Sequence, residues 1–201
     1  MGRIKSTLEI ALERTESVKS DKLSIDQFET KQRGKRLANA FLEDPKKSLD
    51  EELKKTPNEQ RESLKEGIFD VLISQITLPV NKEDEKRIEA VGKGLQALIN
   101  NSRFAAMYKQ LGQALSQYLA EAGRYDQTIR QQYAPKLRQK EEELSRRLGR
   151  EVRIDPFQDP EFIGFYNQTM NALKDNYQAA VDQIREEARR LFAEGSGSKV
   201  Q

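Results

Sequence analysis

The sequence feature that most restricts the fold is a pair of long stretches with apolar residues at intervals of three and four. The first runs from Ser102 to Leu148 and the second from Pro160 to Glu194. This spacing places apolar side chains along one face of a helix, and a repeat sustained over several heptads is typical of a coiled-coil seam. The pattern therefore predicts two long helices that pack along their length.

The two long helices are separated by a short loop, which we expect at residues 149–159. Gly149 is a typical helix stop, and Asp159 followed by Pro160 is a typical helix start. So short a connection favours an antiparallel coiled-coil hairpin over residues 101–194. One constant register pairs apolar residues along this hairpin: Leu137 with Leu173, Tyr133 with Tyr177, and Ile129 with Val181.

Pro135 lies inside the first of the two long helices. Proline has no N–H to donate, and its ring crowds the carbonyl group of the residue four positions earlier. The helix is therefore expected either to kink or to break here, and the absence of glycine beside Pro135 favours a kink.

A shorter helical hairpin is predicted over residues 56–100. Thr56 as N-cap and Pro57 as first helical residue would begin its first helix, and Pro79 would end it. Asn81 would begin the second helix. Gly92 and Gly94, which lie inside that helix, indicate a small-residue face on which another helix packs closely.

The remaining segments are expected to be peripheral. Residues 1–55 read as an N-terminal helical extension and linker, and the mostly charged stretch 45–56 is the candidate linker. Residues 195–201 read as a flexible tail. The polar stretch 31–36 is expected to be a weak, solvent-facing part of the extension. The sequence thus predicts an all-α protein, a helical bundle with a long antiparallel coiled-coil hairpin.

Composition excludes much of enzyme chemistry. The chain has no His, Cys or Trp, so it can form no Ser-His-Asp triad, no zinc site built on Cys or His, and no disulfide bond. The acidic runs 83–85 and 141–143 read as solvated helix faces. We therefore expect a non-enzymatic protein with no catalytic residue, no cofactor and no bound metal.

An apolar edge of the distal hairpin is a candidate partner-binding surface. The tyrosines of the hairpin seam offer more apolar area than one facing helix covers: Tyr118, Tyr125, Tyr133, Tyr166 and Tyr177. The edge left over would then bind a second chain, and a homodimer is the simplest form of such an assembly. Its residues are Ile129, Leu137, Tyr166 and Met170.

Residues 124–150 also carry a candidate basic patch, although the whole chain is nearly neutral, with 35 Lys and Arg residues against 33 Asp and Glu residues. A basic side with interleaved aromatic residues could bind RNA. The residues of this patch are Arg124, Arg130, Lys136, Arg138, Arg146, Arg147 and Arg150.

Two segments carry a resemblance to other proteins. The sequence of residues 2–15 resembles the start of a family of uncharacterised bacterial helical proteins, and so does the segment from Leu78-Pro79 to Leu98. The resemblance implies a bacterial protein and implies no activity.

We therefore expect a cytoplasmic adaptor or assembly protein that binds a protein partner through helix–helix contacts. The absence of any stretch approaching ~18 apolar residues predicts that the chain has no membrane span. The alternative is an RNA- or ribosome-associated factor that uses the basic side of residues 124–150.

Overall fold

The computed structural model describes residues 7–45 and 47–197, and all regular structure in these ranges is helical, with no strand. The all-α prediction is confirmed. Six α-helices follow one another in the described chain, with a single 3₁₀ turn at Pro156–Gln158 before the last: α1 Thr7–Glu43, α2 Leu49–Lys55, α3 Asn58–Ser74, α4 Asp84–Ile99, α5 Ser102–Leu148 and α6 Pro160–Gly197.

Several helix ends lie where the sequence predicts them, because short-range signals decide them. Asn81 accepts hydrogen bonds from the N–H groups of Glu83 (3.0 Å) and Asp84 (3.2 Å) at the start of α4. Gly149 follows α5 with φ of 66°, the left-handed conformation that glycine adopts without strain. Asp159 Oδ1 accepts from the N–H of Glu161 at 3.0 Å and so caps α6.

Other boundaries differ from the prediction. Thr56 does not cap α3, because its hydroxyl donates to the Glu52 carbonyl at 2.8 Å and so belongs to the end of α2. Pro57 precedes α3 and makes no side-chain cap. Helix α5 continues through Pro135, so the proline does not break it. Helix α6 continues to Gly197, and residues 198–201 of the expected tail lie outside the described part of the chain.

The described chain divides into two compact units. The first contains the residues up to 76 together with 90–102 and 188–197, and the second contains 77–89 and 103–187. These divisions do not coincide with the boundaries near residues 55 and 100 that the sequence suggests, because α4, α5 and α6 each contribute residues to both units.

The first unit is built on a close contact between α1 and α3. Gly34 and Gly67 are both buried, and a Cβ atom on Gly34 would collide with the Leu64 carbonyl oxygen, as one on Gly67 would with the Lys31 carbonyl oxygen. Glycine at both positions therefore lets the two backbones touch. The expectation of a solvent-facing stretch at 31–36 is wrong for Gly34, since its lack of a side chain marks close packing.

The expected linker at 45–56 also contributes to the first unit's core. It forms α2. Ser48 caps the N-terminus of this helix, because its side chain accepts a hydrogen bond from Glu51 N–H. Leu49 and Leu53 are buried, and so is Phe41 at the end of α1. The predicted close approach at Gly94 is confirmed, because a Cβ atom there would lie 2.7 Å from a Leu72 methyl carbon.

In the second unit, α5 and α6 contact each other in antiparallel directions, but the expected register is wrong. The ring of Tyr133 lies 5.2 Å from that of Phe162, and the ring of Tyr177, its expected partner, lies 5.2 Å from Tyr118. The shift is about two heptads. Because a heptad pattern matches itself after every repeat, apolar spacing alone does not select between the two registers.

The loop between α5 and α6 explains the shift. After Gly149 the chain runs back along α5: Val152 N–H donates to Ser145 Oγ, and Ile154 N–H donates to Glu141 Oε1, both at 2.9 Å. The 3₁₀ turn then places Asp159 beside Tyr133 and Lys140, in the C-terminal third of α5. The start of α6 therefore does not lie level with the end of α5.

Candidate functional site

A polar cluster joins the start of α6 to α5 within the second unit. Asp159 is 5% exposed, and its Oδ2 accepts hydrogen bonds from Lys140 Nζ at 2.6 Å and from the Tyr133 hydroxyl at 3.2 Å. Lys140 Nζ also donates to Glu161 at 3.0 Å, and Lys136 forms an ion pair with the same carboxylate.

The charges of this cluster suit a structural role better than acid–base chemistry. The hydrogen bond from Lys140 lowers the pKa of Asp159, and Lys136 followed by Lys140 lowers the pKa of Glu161. Hydrogen bonding to Asp159 raises the pKa of Lys140. All three groups therefore stay charged near neutral pH, whereas a general acid or base needs a pKa near the working pH. Within the described residues, no group of acidic side chains is arranged to hold a metal ion.

The four candidate partner-binding residues do not form an exposed edge. Ile129 and Met170 are buried with Tyr133 and Phe162, and the half-buried Leu137 and Tyr166 pack against this cluster. The expectation of a free apolar edge is therefore wrong, because residues of the same chain cover this edge. The 3₁₀ turn supplies part of the cover, because the Phe157 ring lies 5.3 Å from both Phe162 and Tyr166.

The tyrosine expected in the middle of the seam is also placed differently. Tyr125 is exposed, and the half-buried Asp126 occupies the neighbouring position toward the interface. Asp126 pairs with Arg130 at 2.9 Å. Burial and then a hydrogen bond with Asp126 raise the pKa of Tyr166. Consecutive helical residues point about 100° apart, so a one-residue change in phase replaces an aromatic side chain by a carboxylate.

Three of the seven candidate basic residues are paired with carboxylates. Arg130 pairs with Asp126, Lys136 with Glu161, and Arg146 with Glu142 at 3.5 Å. Arg130 also lies with its Cζ 5.0 Å from the centre of the Phe157 ring. These contacts within the chain use the positive charges that a nucleic acid would need.

The other four basic residues are exposed and make no ion pair with any described residue: Arg124, Arg138, Arg147 and Arg150. They do not share one face. Arg138 and Arg147 are nine positions apart, or about two and a half turns, and so lie on opposite sides of α5. The structure therefore does not bring the predicted patch together as one surface.

The most exposed run of large apolar side chains lies on α1 in the first unit. Leu23, Ile25 and Phe28 are 61%, 57% and 63% exposed. The other large exposed apolar residues of the described chain are spread singly along the sequence, which is common on soluble surfaces. Among the side chains that the structure describes, no other run has three such residues within six positions.

Two of the three residues of this run, Ile25 and Phe28, face away from α3. Ile25 is nine positions before Gly34, about two and a half turns, so it lies opposite the contact with α3. Phe28 follows Ile25 by three positions and lies on the same outward side. We call Ile25 and Phe28 the outer α1 surface; Leu23 lies on the other side, toward Gly34.

Apolar residues at 25, 28 and 41 predict a helix, but the pattern does not by itself reveal this surface. The sequence nevertheless contains a signal for two separate faces of this helix. Phe41 is about four and a half turns after Ile25 and must point to the opposite side. The buried Gly34 shows which side packs. Helix periodicity combined with the glycine would have separated the two faces.

The chain matches a family model over more than half of its length. Residues 50–190 match a family model described as Family of unknown function (DUF6657). The chain belongs to this family. The DUF6657 match includes the segment at 78–98 in which the resemblance to uncharacterised proteins was noted, and it begins after α1. No curated protein and no solved structure matched the chain.

Within the described residues, no helix has both the length and the apolar composition that spanning a membrane requires.

Proposed function

We propose that this chain is a non-enzymatic binding protein that attaches to a protein partner through the outer α1 surface. The observation that carries the proposal is the exposure of Ile25 and Phe28 on the side of α1 opposite its contact with α3. Full burial of such a side chain contributes roughly 1.5–3 kcal/mol. Two anchors on one helix face are the pattern by which amphipathic helices bind grooves or other helices.

The rest of the structure supplies a scaffold for this surface. The C-terminal half of α1 is fixed against α3 by the contact at Gly34 and Gly67. The outer α1 surface therefore sits on a helix that is anchored at one end, and a partner that binds it does not have to order a loop. An adaptor needs this property, since less free energy is then spent on ordering the site.

The test is affinity capture from a lysate of the source organism, followed by quantitative mass spectrometry. The bait is the full chain, compared with the double variant Ile25→Ser and Phe28→Ser and with the control Val80→Ser, which changes an isolated side chain that is 87% exposed. A protein retained by the chain and the control but lost by the double variant supports the proposal. Identical sets from all three baits contradict it.

An RNA- or ribosome-associated role for residues 124–150 remains the alternative proposal. Its support is the four exposed arginines, and their spread over opposite sides of α5 weighs against it. Phosphate contacts would make the logarithm of the binding constant fall steeply with the logarithm of the salt concentration. Such a slope with RNA, removed by changing Arg138 and Arg147 to Gln, would favour this alternative.

We place the proposed binding function in the bacterial cytoplasm. The support is the resemblance of residues 2–15 and 78–98 to uncharacterised bacterial helical proteins. A homodimer through Ile129, Leu137, Tyr166 and Met170 is not part of the proposal, because these residues already pack on one another within the chain.

A further inference from the structure

One stretch of α5 has a surface that is almost without charge. In the seventeen residues from Phe104 to Ala120, Lys109 is the one charged residue, whereas residues 121–148 of the same helix contain twelve in twenty-eight. Depletion of charged side chains is the compositional mark of the centre of a protein–protein interface. The exposed uncharged residues of this stretch form what we call the charge-poor α5 surface: Ala106, Gln110, Gln113, Ser116, Gln117 and Ala120.

The residues of this surface share one side of α5, because they follow one another at helical intervals of three and four. Gln113 lies in the middle. Ala106 is seven positions before it and Ala120 seven positions after it, so all three point in nearly the same direction. In this stretch, which the structure describes throughout, no large apolar side chain is exposed. The surface therefore offers no apolar anchor for a groove or a small ligand.

The side chains of the surface suit contact with a second helix. Neither Gln110 nor Gln113 makes a side-chain hydrogen bond with a described residue. An amide group carries both donors and an acceptor, so a glutamine can pair with the same residue of another copy. The small side chains of Ala106 and Ala120 allow a facing helix to approach closely.

The charges at the two ends of the surface favour an antiparallel copy. A two-fold axis beside Gln113 places this residue against its own copy and Ala106 against Ala120. Arg103 precedes the surface and Glu121 follows it. In the antiparallel arrangement, the arginine of one copy therefore comes beside the glutamate of the other, whereas a parallel arrangement would bring like charges together.

The same arrangement gives Lys109 an acidic neighbour. It places Lys109 of one copy beside Ser116 of the other. The Ser116 hydroxyl donates to Glu85 of α4 at 2.9 Å, so a carboxylate lies next to this position. Opposite charges thus meet on both sides of the surface. RNA or an anionic lipid surface, in contrast, would find a single lysine in this stretch.

From the juxtaposition of a charge-poor helix face, two glutamines without hydrogen-bond partners and flanking charges of opposite sign, we infer that the charge-poor α5 surface binds a second copy of this chain in the antiparallel direction. The inference goes beyond the proposed function, since it concerns a different helix and a different partner. Two helix segments about 26 Å long form a small interface. We therefore expect a weak dimer, with a dissociation constant of roughly 10–100 µM.

The test is sedimentation equilibrium of the full chain at loading concentrations from about 5 to about 500 µM. Gln113→Lys and Gln113→Glu each place two like charges together on the two-fold axis, so each variant alone should stay monomeric. Both new residues favour a helix, and circular dichroism melting curves verify that the variants are folded. An equimolar mixture of the two variants places opposite charges on the axis and should associate at least ~tenfold more tightly than either variant alone.

The matched control is Gln139→Lys, which makes the same change at an exposed glutamine of α5 about 39 Å further along the helix. This variant should dimerise like the natural chain, and recovery of the dimer in the mixture would identify the axis at Gln113. A natural chain that is monomeric over the whole range, Gln113 variants that dimerise like it, or a mixture that associates no more tightly than its components overturns the inference. The same holds if the control abolishes the dimer. The capture experiment tests the proposed function separately, since the residues that it assigns to partner binding lie on α1.

Discussion

Lys140 Nζ lies 2.6 Å from the Oδ2 atom of Asp159, so the residue that caps α6 is also paired with α5. One carboxylate therefore sets both where α6 begins and which part of α5 it begins against. The sequence predicts the cap from local residues, but it gives no sign of the second role, because nineteen positions separate the two partners.

The register of the second unit can be tested by zero-length crosslinking. Lys136 and Glu161 form an ion pair, so a carbodiimide should join their two side chains by an amide bond. In the register expected from apolar spacing, Lys136 would instead lie beside Lys174, and no such bond could form. Mass spectrometry of a proteolytic digest identifies the linked peptides, and Glu161→Gln is the control that should remove the link. Absence of the link between Lys136 and Glu161 in the natural chain would reject the register described above.

Acid should weaken the polar cluster. The folded-state pKa values of Asp159 and Glu161 are lowered by their lysine partners, so the unfolded chain binds protons more readily at these groups. Their contribution to the free energy of unfolding is complete above the ordinary carboxyl pKa values and is lost as the pH falls through the lowered ones.

The measurement is urea unfolding, followed by circular dichroism, from pH 7 down to pH 3. The free energy of unfolding of the double variant Asp159→Asn with Glu161→Gln should depend less on pH over the acidic range than that of the natural chain. Parallel pH profiles for the two proteins would show that these carboxylates do not contribute in this way.

The contact between α1 and α3 should not tolerate a side chain at Gly34. Gly34→Ala places a Cβ atom against the Leu64 carbonyl oxygen, and relief requires the two helices to separate. We expect a loss of about 1–3 kcal/mol in the free energy of unfolding. Gly123→Ala is the control, since its added Cβ would meet nothing within 4 Å and alanine favours a helix by up to about 1 kcal/mol. Equal stability of the two variants would contradict the close contact.

The two sides of α1 should differ in what they contribute to stability. Phe41→Ala removes a buried ring and should cost about 3–5 kcal/mol. Phe28→Ala removes an exposed ring of the same helix and should change the free energy of unfolding by less than about 0.5 kcal/mol. Chemical denaturation of both variants gives the comparison. A large cost at Phe28 would mean that the outer α1 surface is covered within the chain.

Local signals explain what sequence analysis predicted correctly. The helix boundaries at Asn81, Gly149 and Asp159 depend on residues within one turn, so they can be predicted without knowing the fold. Long-range features were missed for two reasons. A heptad repeat permits several registers, and the loop that selects one does so through hydrogen bonds of Val152 and Ile154 with α5.

The prediction of the candidate sites from the sequence was wrong for a related reason. Sequence periodicity cannot tell whether an apolar edge is covered, and here the 3₁₀ turn brings Phe157 onto Phe162 and Tyr166. The outer α1 surface was missed because apolar spacing alone does not separate the two faces of α1. Gly34 decides which side packs, and its effect depends on Gly67 of a different helix.

Partner binding at the outer α1 surface can be tested directly by site-specific photo-crosslinking in cells of the source organism. A photoreactive phenylalanine analogue replaces Phe28, or replaces Gln127 as an exposed control on α5, and the crosslinked products are identified by mass spectrometry. We expect position 28 to crosslink to a second, different protein and position 127 not to do so. Absence of any crosslink at position 28, or the same products at both positions, would contradict it.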